Sequence, residues 1–527
     1  MKAINSQILK LAIPSIFANI TVPIVGMVDI AVAGHLSLSG AGGAATAIGA
    51  IAVGTMLFDL LYWNFGFLRV GTGGLTAQSF GKGDIRECSK VLCRALSIAF
   101  GCALLLIAIQ WFFVKAAFVF VDCTPEVETL AVRYFYIRIW AAPATLSLMA
   151  LKGWFIGMQD SVSPMITDLT VNLMNVAMSI FLALGAGGWA GMGFSGIAAG
   201  TVIAQYSGLL CASLLLFFKY RKRLSGTMAS GDFRALFRGG ETKRFFVMNA
   251  DLFVRSLCFI AIYIGFTAIS AHYGDLLLAV SSILMKLLMI FSYFTDGFAY
   301  AGEALTGRFI GAKDKKMVTE TVKWTFVWSM SIAVGFMALY QFGGVWLLRL
   351  MTSDREVISM AWDFLPWLLL MPAVGCAAFT WDGIYIGAVA SRQMRNSMLW
   401  ATLGFFLTFA VGILILNASV SGAPLASSSS CAPLADLAPS QTTAGLAAPA
   451  SSANSLLSSP EASIAPASSA SGLVAPEQPA PSAPSGASRH NVIAIHILMA
   501  AYFVHLLART LYLSLKYKKT IFHFERA

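Results

Sequence analysis

The stretch "FGFLRVGTGGLTAQSFGKGD", residues 65–84, decides the fold. Its glycines have the density of a loop that wraps a phosphate, yet it follows a run of apolar residues. A Walker loop needs a glycine five residues before the Gly-Lys pair and a Ser or Thr directly after it, where the hydroxyl meets magnesium. Thr76 holds the first of those places and Gly83 the last. A dinucleotide fingerprint, Gly-x-Gly-x-x-Gly between a strand and a helix, finds Thr76 in its third place after Gly71 and Gly73. Neither phosphate motif fits, and the surrounding sequence has to decide.

The 527-residue chain is 58% hydrophobic and 12% charged, with a mean hydropathy of +0.75, whereas soluble domains carry about 25% charged residues. That balance describes a membrane protein. A helix crossing the hydrocarbon needs about 20 mostly apolar residues. About twelve segments qualify: 10–34, 43–66, 92–119, 130–155, 163–184, 190–218, 245–270, 276–304, 318–349, 357–380, 397–417 and 490–516. The alternating ten-residue strands of a membrane barrel are absent, so the expected class is an all-α membrane protein of about twelve transmembrane helices. Lys2 before an apolar run has the look of a signal peptide. That segment is too long, contains Asp29 and lacks a small-x-small cleavage site, so it reads as a retained helix.

A net charge of +11 raises nucleic acid as a partner. The Lys and Arg residues, however, fall mostly in alternate connections, the orientation signal of a polytopic membrane protein. One set holds Lys82, Arg86, Lys90 and Arg94, then Lys219 to Arg234, then Lys313, Lys315 and Lys316, then Arg392 and Arg395; the other set, at 35–42, 120–129 and 271–275, has none of them. Both termini are therefore expected in the cytoplasm. The eight cysteines and six histidines show no zinc spacing or HExxH pair. Residues 418–489 are rich in Ala, Ser and Pro and cannot bury a core, so they are expected to be a disordered external insert. A glycan- or wall-associated stalk and a sequence artefact are the other readings of that insert.

The quoted stretch recurs. "LTAQSFGKGD" at 75–84 is matched by "LTGRFIGAKD" at 305–314, and "GWFIGMQDSVSPM" from Gly153 by "GIYIGAVASRQMRNSM" from Gly383, both at an offset of 230 residues. Two matches at one offset indicate a duplicated unit. Six spans separate equivalent points, so the halves are parallel repeats about an axis along the membrane normal, an architecture typical of transporters. The expected organisation is a first lobe over 1–218, a linker over 219–244 and a second lobe over 245–527 carrying the insert. The glycine-rich stretch is then the inner exit of the second helix, with Gly71, Gly73 and Gly74 permitting close helix packing.

A charge within a span costs about 2.5–3.5 kcal/mol on insertion scales, so each one needs a function or a partner. Asp29 lies in the outer half of the first helix, which also carries Pro14 and Pro23 and is thereby suited to bending. It is either a titrating or cation-binding group or a carboxylate locked by a neighbouring helix. Asp168, Asn172, Asn175 and Ser179 share one face of the fifth span, and Thr201 and Gln205 on the sixth extend it; such a face lines a cavity or bonds helices. In the second half, Asp251 and Arg255 are spaced to pair on one helix face. Lys286, Asp296 and Glu303 on the eighth span and Asp382 at the end of the tenth form a hydrated cavity or a charge network. Arg69 is placed to snorkel.

The segments "IPSIFANITVPIVGMVDIAVAGHL", "FLRVGTGGLTAQSFGKGD", "KGWFIGMQDSVSPM" and "DGFAYAGEALTGRFIGAKD" together resemble the MATE (multidrug and toxic compound extrusion) transporters, in particular their DinF-like branch. The likeness covers nearly all the chain outside 418–489. It implies two six-helix lobes related by pseudo-twofold symmetry and forming a V, and export of organic, often cationic, compounds against an inward flow of protons or sodium ions. It also implies that Asp29 matches the first-helix acid central to coupling. The family's fifth-helix Asn followed four residues later by Asp falls on Asn175, but Ser179 stands in the Asp place. Hard cations want several oxygen ligands and preferably charge, so this departure favours protons over sodium. Thr201 corresponds to the sixth-helix Thr of the cluster, and Pro14 fits the kink proline better than Pro23. No cofactor or metal is implied beyond the coupling ion. The expected partners are a small organic substrate and the lipid bilayer, with no nucleic acid and the chain acting as a monomer in the cytoplasmic (inner) membrane.

Other classes are less well served. A lipid-linked saccharide flippase of the related superfamily favours an Arg-rich cavity for pyrophosphate, and the basic residues evident inside the spans are chiefly Arg69, Lys152, Arg255 and Lys286. A sodium-coupled exporter of an endogenous metabolite is a further alternative. A membrane enzyme needs a metal or nucleophile constellation, and a passive channel has no need of a titrating Asp29.

Overall fold

The glycine-rich stretch is helix. A 3-10 turn at Asn64–Gly66 joins Gly43–Trp63 to Phe67–Gly81, so the second span runs on past its apolar segment, 43–66, and the glycine-rich stretch is its exit, as expected. Packing overrides the low helix propensity of glycine here. A Cβ on Gly71 would strike Asn249, on Gly73 the Glu303 carboxylate, on Gly74 the Ile386 carbonyl and on Gly81 the Arg308 carbonyl. The glycines let α2 lie backbone to backbone against the second half of the chain.

The computed structural model describes residues 2–35, 43–119, 121, 123–185, 189–224, 240–421 and 489–522. These contain twelve helices long and apolar enough to cross a membrane: α1 (Ala3–Gly34), α2 (Thr46–Gly81), α3 (Ile85–Ala117), α4 (Pro125–Gly157), α5 (Val162–Leu184), α6 (Phe194–Lys222), α7 (Thr242–His272), α8 (Asp275–Gly311), α9 (Lys315–Met351), α10 (Leu365–Gly387), α11 (Ser391–Ser419) and α12 (Arg489–Ile521). A short helix, Arg355–Asp363, precedes α10. Apart from the last residues of α11, the twelve spans belong to a unit of Met1–Leu416 and Pro484–Ala527, and the second unit begins at Asn417. Most of the expected insert at 418–489 and of the expected linker at 219–244 lies outside the described residues.

The duplication is visible atom by atom at the same 230-residue offset. Asp84 and Asp314 each cap the following helix, accepting from the Glu87 amide at 2.9 Å and the Met317 amide at 3.0 Å. Gly83 and Lys313 take left-handed backbone in those turns, φ 76° and 58°, and Gln159 and Val389 do the same after α4 and α10, φ 65° and 55°. Valine is rarely tolerated there, so the turn after α10 is held by its backbone bonds from Ala388, Val389 and Ala390 to Ile384, Ile386 and Tyr385. Gly153 faces the Arg69 carbonyl as Gly383 faces that of Ala299. Between the halves the relation is reciprocal, Gly81 against the Arg308 carbonyl and Gly311 against the Gln78 carbonyl. These are equivalent contacts about a pseudo-twofold axis relating two six-helix lobes.

That symmetry yields a test of packing. Gly81→Ala and Gly311→Ala each drive a methyl into a carbonyl of the other half, and overpacking of this kind costs about 1–3 kcal/mol. Thermal unfolding in detergent should show two losses of similar size. A loss confined to one variant would contradict the equivalence.

Lobe contact is concentrated toward the end bearing these turns, the basic end. The inner part of α2 packs on α8, α10 and α7, whereas among the described residues its first part, Gly43–Trp63, has its main contact across the divide with α7. The first helix crosses from one lobe to the other. Its early residues belong to the second half: Asn5 accepts from Trp328 at 3.4 Å, Gly297 abuts Ala12 and Ile16, and Asn19 donates to the Tyr293 carbonyl at 3.3 Å. Its later residues pack on α5 and α2. Pro14 and Pro23 stand within this otherwise continuous helix.

Candidate functional site

Asp29 is buried on α1, 7% exposed, where the helix leans on α5. One turn apart on α5, Asn175 and Ser179 are also buried, and α6 brings Thr201 to them. The Asn175 amide donates to the Thr201 hydroxyl at 3.0 Å, and that hydroxyl donates to the Ile197 carbonyl at 3.2 Å. Ser179 lies beside the Asp29 carboxyl, and the charge of Arg138 reaches it. This leaves Asp29 Oδ1, Asn175 Oδ1 and Ser179 Oγ buried without hydrogen-bond partners. An unsatisfied buried polar atom costs about 1–3 kcal/mol. A proton on Asp29 would create an O–H donor for such an acceptor, and a small cation would draw the same oxygens together.

The remaining polar face of the first half is used differently along its length. The Asn172 amide meets the Thr21 hydroxyl at 2.5 Å, tying α5 to α1 between Pro23 and the basic end. Gln205 is half-buried on α6. Asp168 is half-buried, and Lys152 of α4 pairs with its carboxylate.

Two charged residues of the first half escaped the sequence reading. Arg138 on α4 lies over the Phe58 ring at 4.8 Å and donates to the Tyr134 hydroxyl at 2.8 Å. Its charge acts on Asp29 and on Asp59 of α2. Arg138 is the second arginine of the aromatic run "RYFYIRIW", and Asp59 is the single charge of "MLFDLLYW". The cost of any charge in a span was the signal available for them.

The second half holds a network that crosses to the first. Asp382 of α10 receives Arg255 of α7 at 2.5 Å and also Arg509 of α12. Asp296 of α8 feels the charges of Arg69, Asp382, Arg255 and Arg509. Glu303, fully buried on α8, pairs with Arg69 of α2 at 3.2 Å, and the same guanidinium lies over the Tyr300 ring at 4.4 Å. Arg69 therefore joins the halves and does not snorkel. The expected pair between Asp251 and Arg255 is not formed either. Asp251 binds Arg395 at 2.5 Å and Ser391 at 2.9 Å, while Arg255 goes to Asp382. Helix spacing made the local pair available, but carboxylates arriving from other helices pair these charges between packed elements, where they need partners most. Lys286 is exposed on α8, apart from this network, and its charge acts on Asp59. Arg509 was also missed by the sequence reading, as a lone charge in the last span.

Comparison with known proteins agrees with this architecture. Residues 14–181 and 252–414 match the MatE family, one block in each half. Over 398 residues the chain is 34% identical to the DNA damage-inducible protein F of Escherichia coli K12, covering 76% of this chain and 84% of that protein. It is 24% identical over 414 residues to the probable multidrug resistance protein NorM of Photorhabdus laumondii, covering 76% and 87% of the two chains. Among solved structures, the outward-facing conformation of a multidrug resistance MATE family transporter of the MOP superfamily matches with a TM-score of 0.67 at 16% identity, covering 78% of this chain and 88% of that one. With helices, duplication and sequence in agreement, the chain belongs to the MatE family and is a multi-pass membrane transporter, not an enzyme.

Proposed function

We propose that the chain exports small organic compounds, often cationic, across the cytoplasmic membrane in exchange for protons that enter through Asp29. The observation that carries this is the buried Asp29 carboxyl beside Ser179, Asn175 and Thr201, on a helix that crosses between the lobes. Ser179 supplies no second carboxylate, and the Arg138 guanidinium acts on the same site. Both features favour a proton over a sodium ion, which needs several oxygen ligands and preferably charge. Protonated from outside, Asp29 loses its attraction for a bound cation, and the first helix is free to bend at its prolines; deprotonation toward the cytoplasm resets the site. Each pH unit supplies about 1.4 kcal/mol per proton, enough for about tenfold accumulation in a one-for-one exchange. The multidrug resistance proteins among the relatives support the substrate class.

In this reading the basic end faces the cytoplasm with both termini. The lobes are 1–218 and 245–527, joined by 219–244, and the protein acts as a monomer in the bilayer without nucleic acid. The test uses purified protein in liposomes, following a fluorescent organic cation under a pH gradient or a sodium gradient. Movement driven by the pH gradient alone is expected; movement driven by sodium alone would overturn proton coupling. Ser179→Asp restores a second carboxylate beside Asp29 and should make transport respond to sodium.

A further inference from the structure

Toward the end away from the basic turns, α2 and α8 carry opposite charges, Asp59 and Lys286, and both are exposed. Three observations turn these residues toward the divide between the lobes and away from lipid. Trp63, one turn along α2 from Asp59, packs edge-on against Tyr263 at 5.1 Å and Phe259 at 6.1 Å, both on α7 of the second half. On α8, Lys286, Tyr293, Asp296, Tyr300 and Glu303 recur at spacings of one helical stripe, and Glu303 at its inner end meets Arg69 of α2. The charge of Asp59 in turn interacts with Lys286, Tyr263 and Tyr293 across the divide, and with Arg138 on its own side. Asp59 and Lys286 do not close an ion pair with each other.

We propose that this cleft binds amphoteric aromatic compounds, with Asp59 receiving a cationic group, Lys286 an anionic group, and Trp63, Tyr263 and Tyr293 the ring system between them. The proposal rests on the transport reading above and narrows its substrate class. A simple organic cation attracted by Asp59 meets Lys286 as a like charge, whereas a compound bearing both signs pairs at each end. Selectivity of this kind comes from the repulsive group as much as from the attractive one. Aromatic faces accept rings of varied shape through offset and edge-on contact, which suits a cleft that fixes the charges and leaves the body of the ligand free to vary. Asp59 is exposed and so differs from Asp29, which lies buried beside Ser179, although the charge of Arg138 reaches both.

The experiment measures equilibrium binding, by fluorescence polarisation on full-length protein in nanodiscs, of a rhodamine with a free carboxylate and of its methyl ester. The two dyes share one cationic ring system and differ only in the anionic group. Native protein should bind the free acid about tenfold more tightly, the lower end of what a hydrogen bond to a charged group contributes. Lys286→Gln should bring the ratio to about one, Lys286→Arg should retain the preference, and Asp59→Asn should weaken both dyes. Equal binding of the two dyes, preference for the ester, failure to bind either, or a ratio unchanged in Lys286→Gln would overturn the proposal. Movement of the ester under a pH gradient, followed separately in liposomes, judges the transport reading itself. Dye movement without the acid preference would remove the amphoteric site and leave transport standing; the acid preference without dye movement would do the reverse.

Discussion

Asp29→Asn, reconstituted in liposomes, is expected to lower pH-gradient-driven movement of an organic cation to the level of protein-free vesicles. The substitution preserves shape and hydrogen-bonding capacity while removing the one ionisable group of its cluster. Asn175 and Thr201 keep their mutual bond at 3.0 Å and the Thr201 bond to Ile197, so the packing of α5 against α6 does not depend on the Asp29 charge. The Asn variant should therefore elute and melt as native protein does, and the defect should lie in coupling. Asp29→Glu keeps the titrating group but displaces it by a methylene in a buried site, and partial transport is expected. Full transport by a folded Asn variant would remove Asp29 from the mechanism and direct attention to Glu303 and Asp296.

Asp382→Leu is expected to destabilise the protein more than either Gly81→Ala or Gly311→Ala. Its carboxylate accepts Arg255 at 2.5 Å and also Arg509, the latter buried to 1% exposure. Arg509 Nη1 already lacks a partner, and both ring nitrogens of the fully buried His505 one turn away are likewise unpaired. Removing the carboxylate leaves two guanidiniums without their counter-charge, and breaking a buried pair from one side costs about 3–5 kcal/mol. Thermal unfolding in detergent should show a large drop. Arg255→Met should cost less, because Arg509 remains paired with Asp382. A melting temperature unchanged in Asp382→Leu would mean that Asp382 does not hold this network.

Much of the fold was legible because lipid imposes a simple rule: about 20 apolar residues per helix located all twelve spans. The offset between "LTAQSFGKGD" and "LTGRFIGAKD" reported a duplication that the turns and glycine contacts repeat. The end of α2 was less legible, since the glycines from Gly71 to Gly81 are poor helix formers by themselves and are helical because other backbones pack on them. Spacing along α5 placed Asn175 and Ser179 correctly on one face, and the likeness to a family linked them with Asp29. Pairing across helices was beyond sequence periodicity, which ranks neighbours four residues apart and is silent about α7 against α10 or α11. Asp251 and Arg255 were for that reason joined to each other, and Arg69 was sent to the surface instead of to Glu303.

Proton movement can be read directly with a pH indicator trapped inside proteoliposomes and an organic cation supplied as the only gradient. In exchange through Asp29, dissipation of the cation gradient by native protein should drive a counter-movement of protons, and Asp29→Asn should show neither flux. Proton movement that persists unchanged in Asp29→Asn, or cation movement accompanied by sodium and no protons, would contradict the assignment.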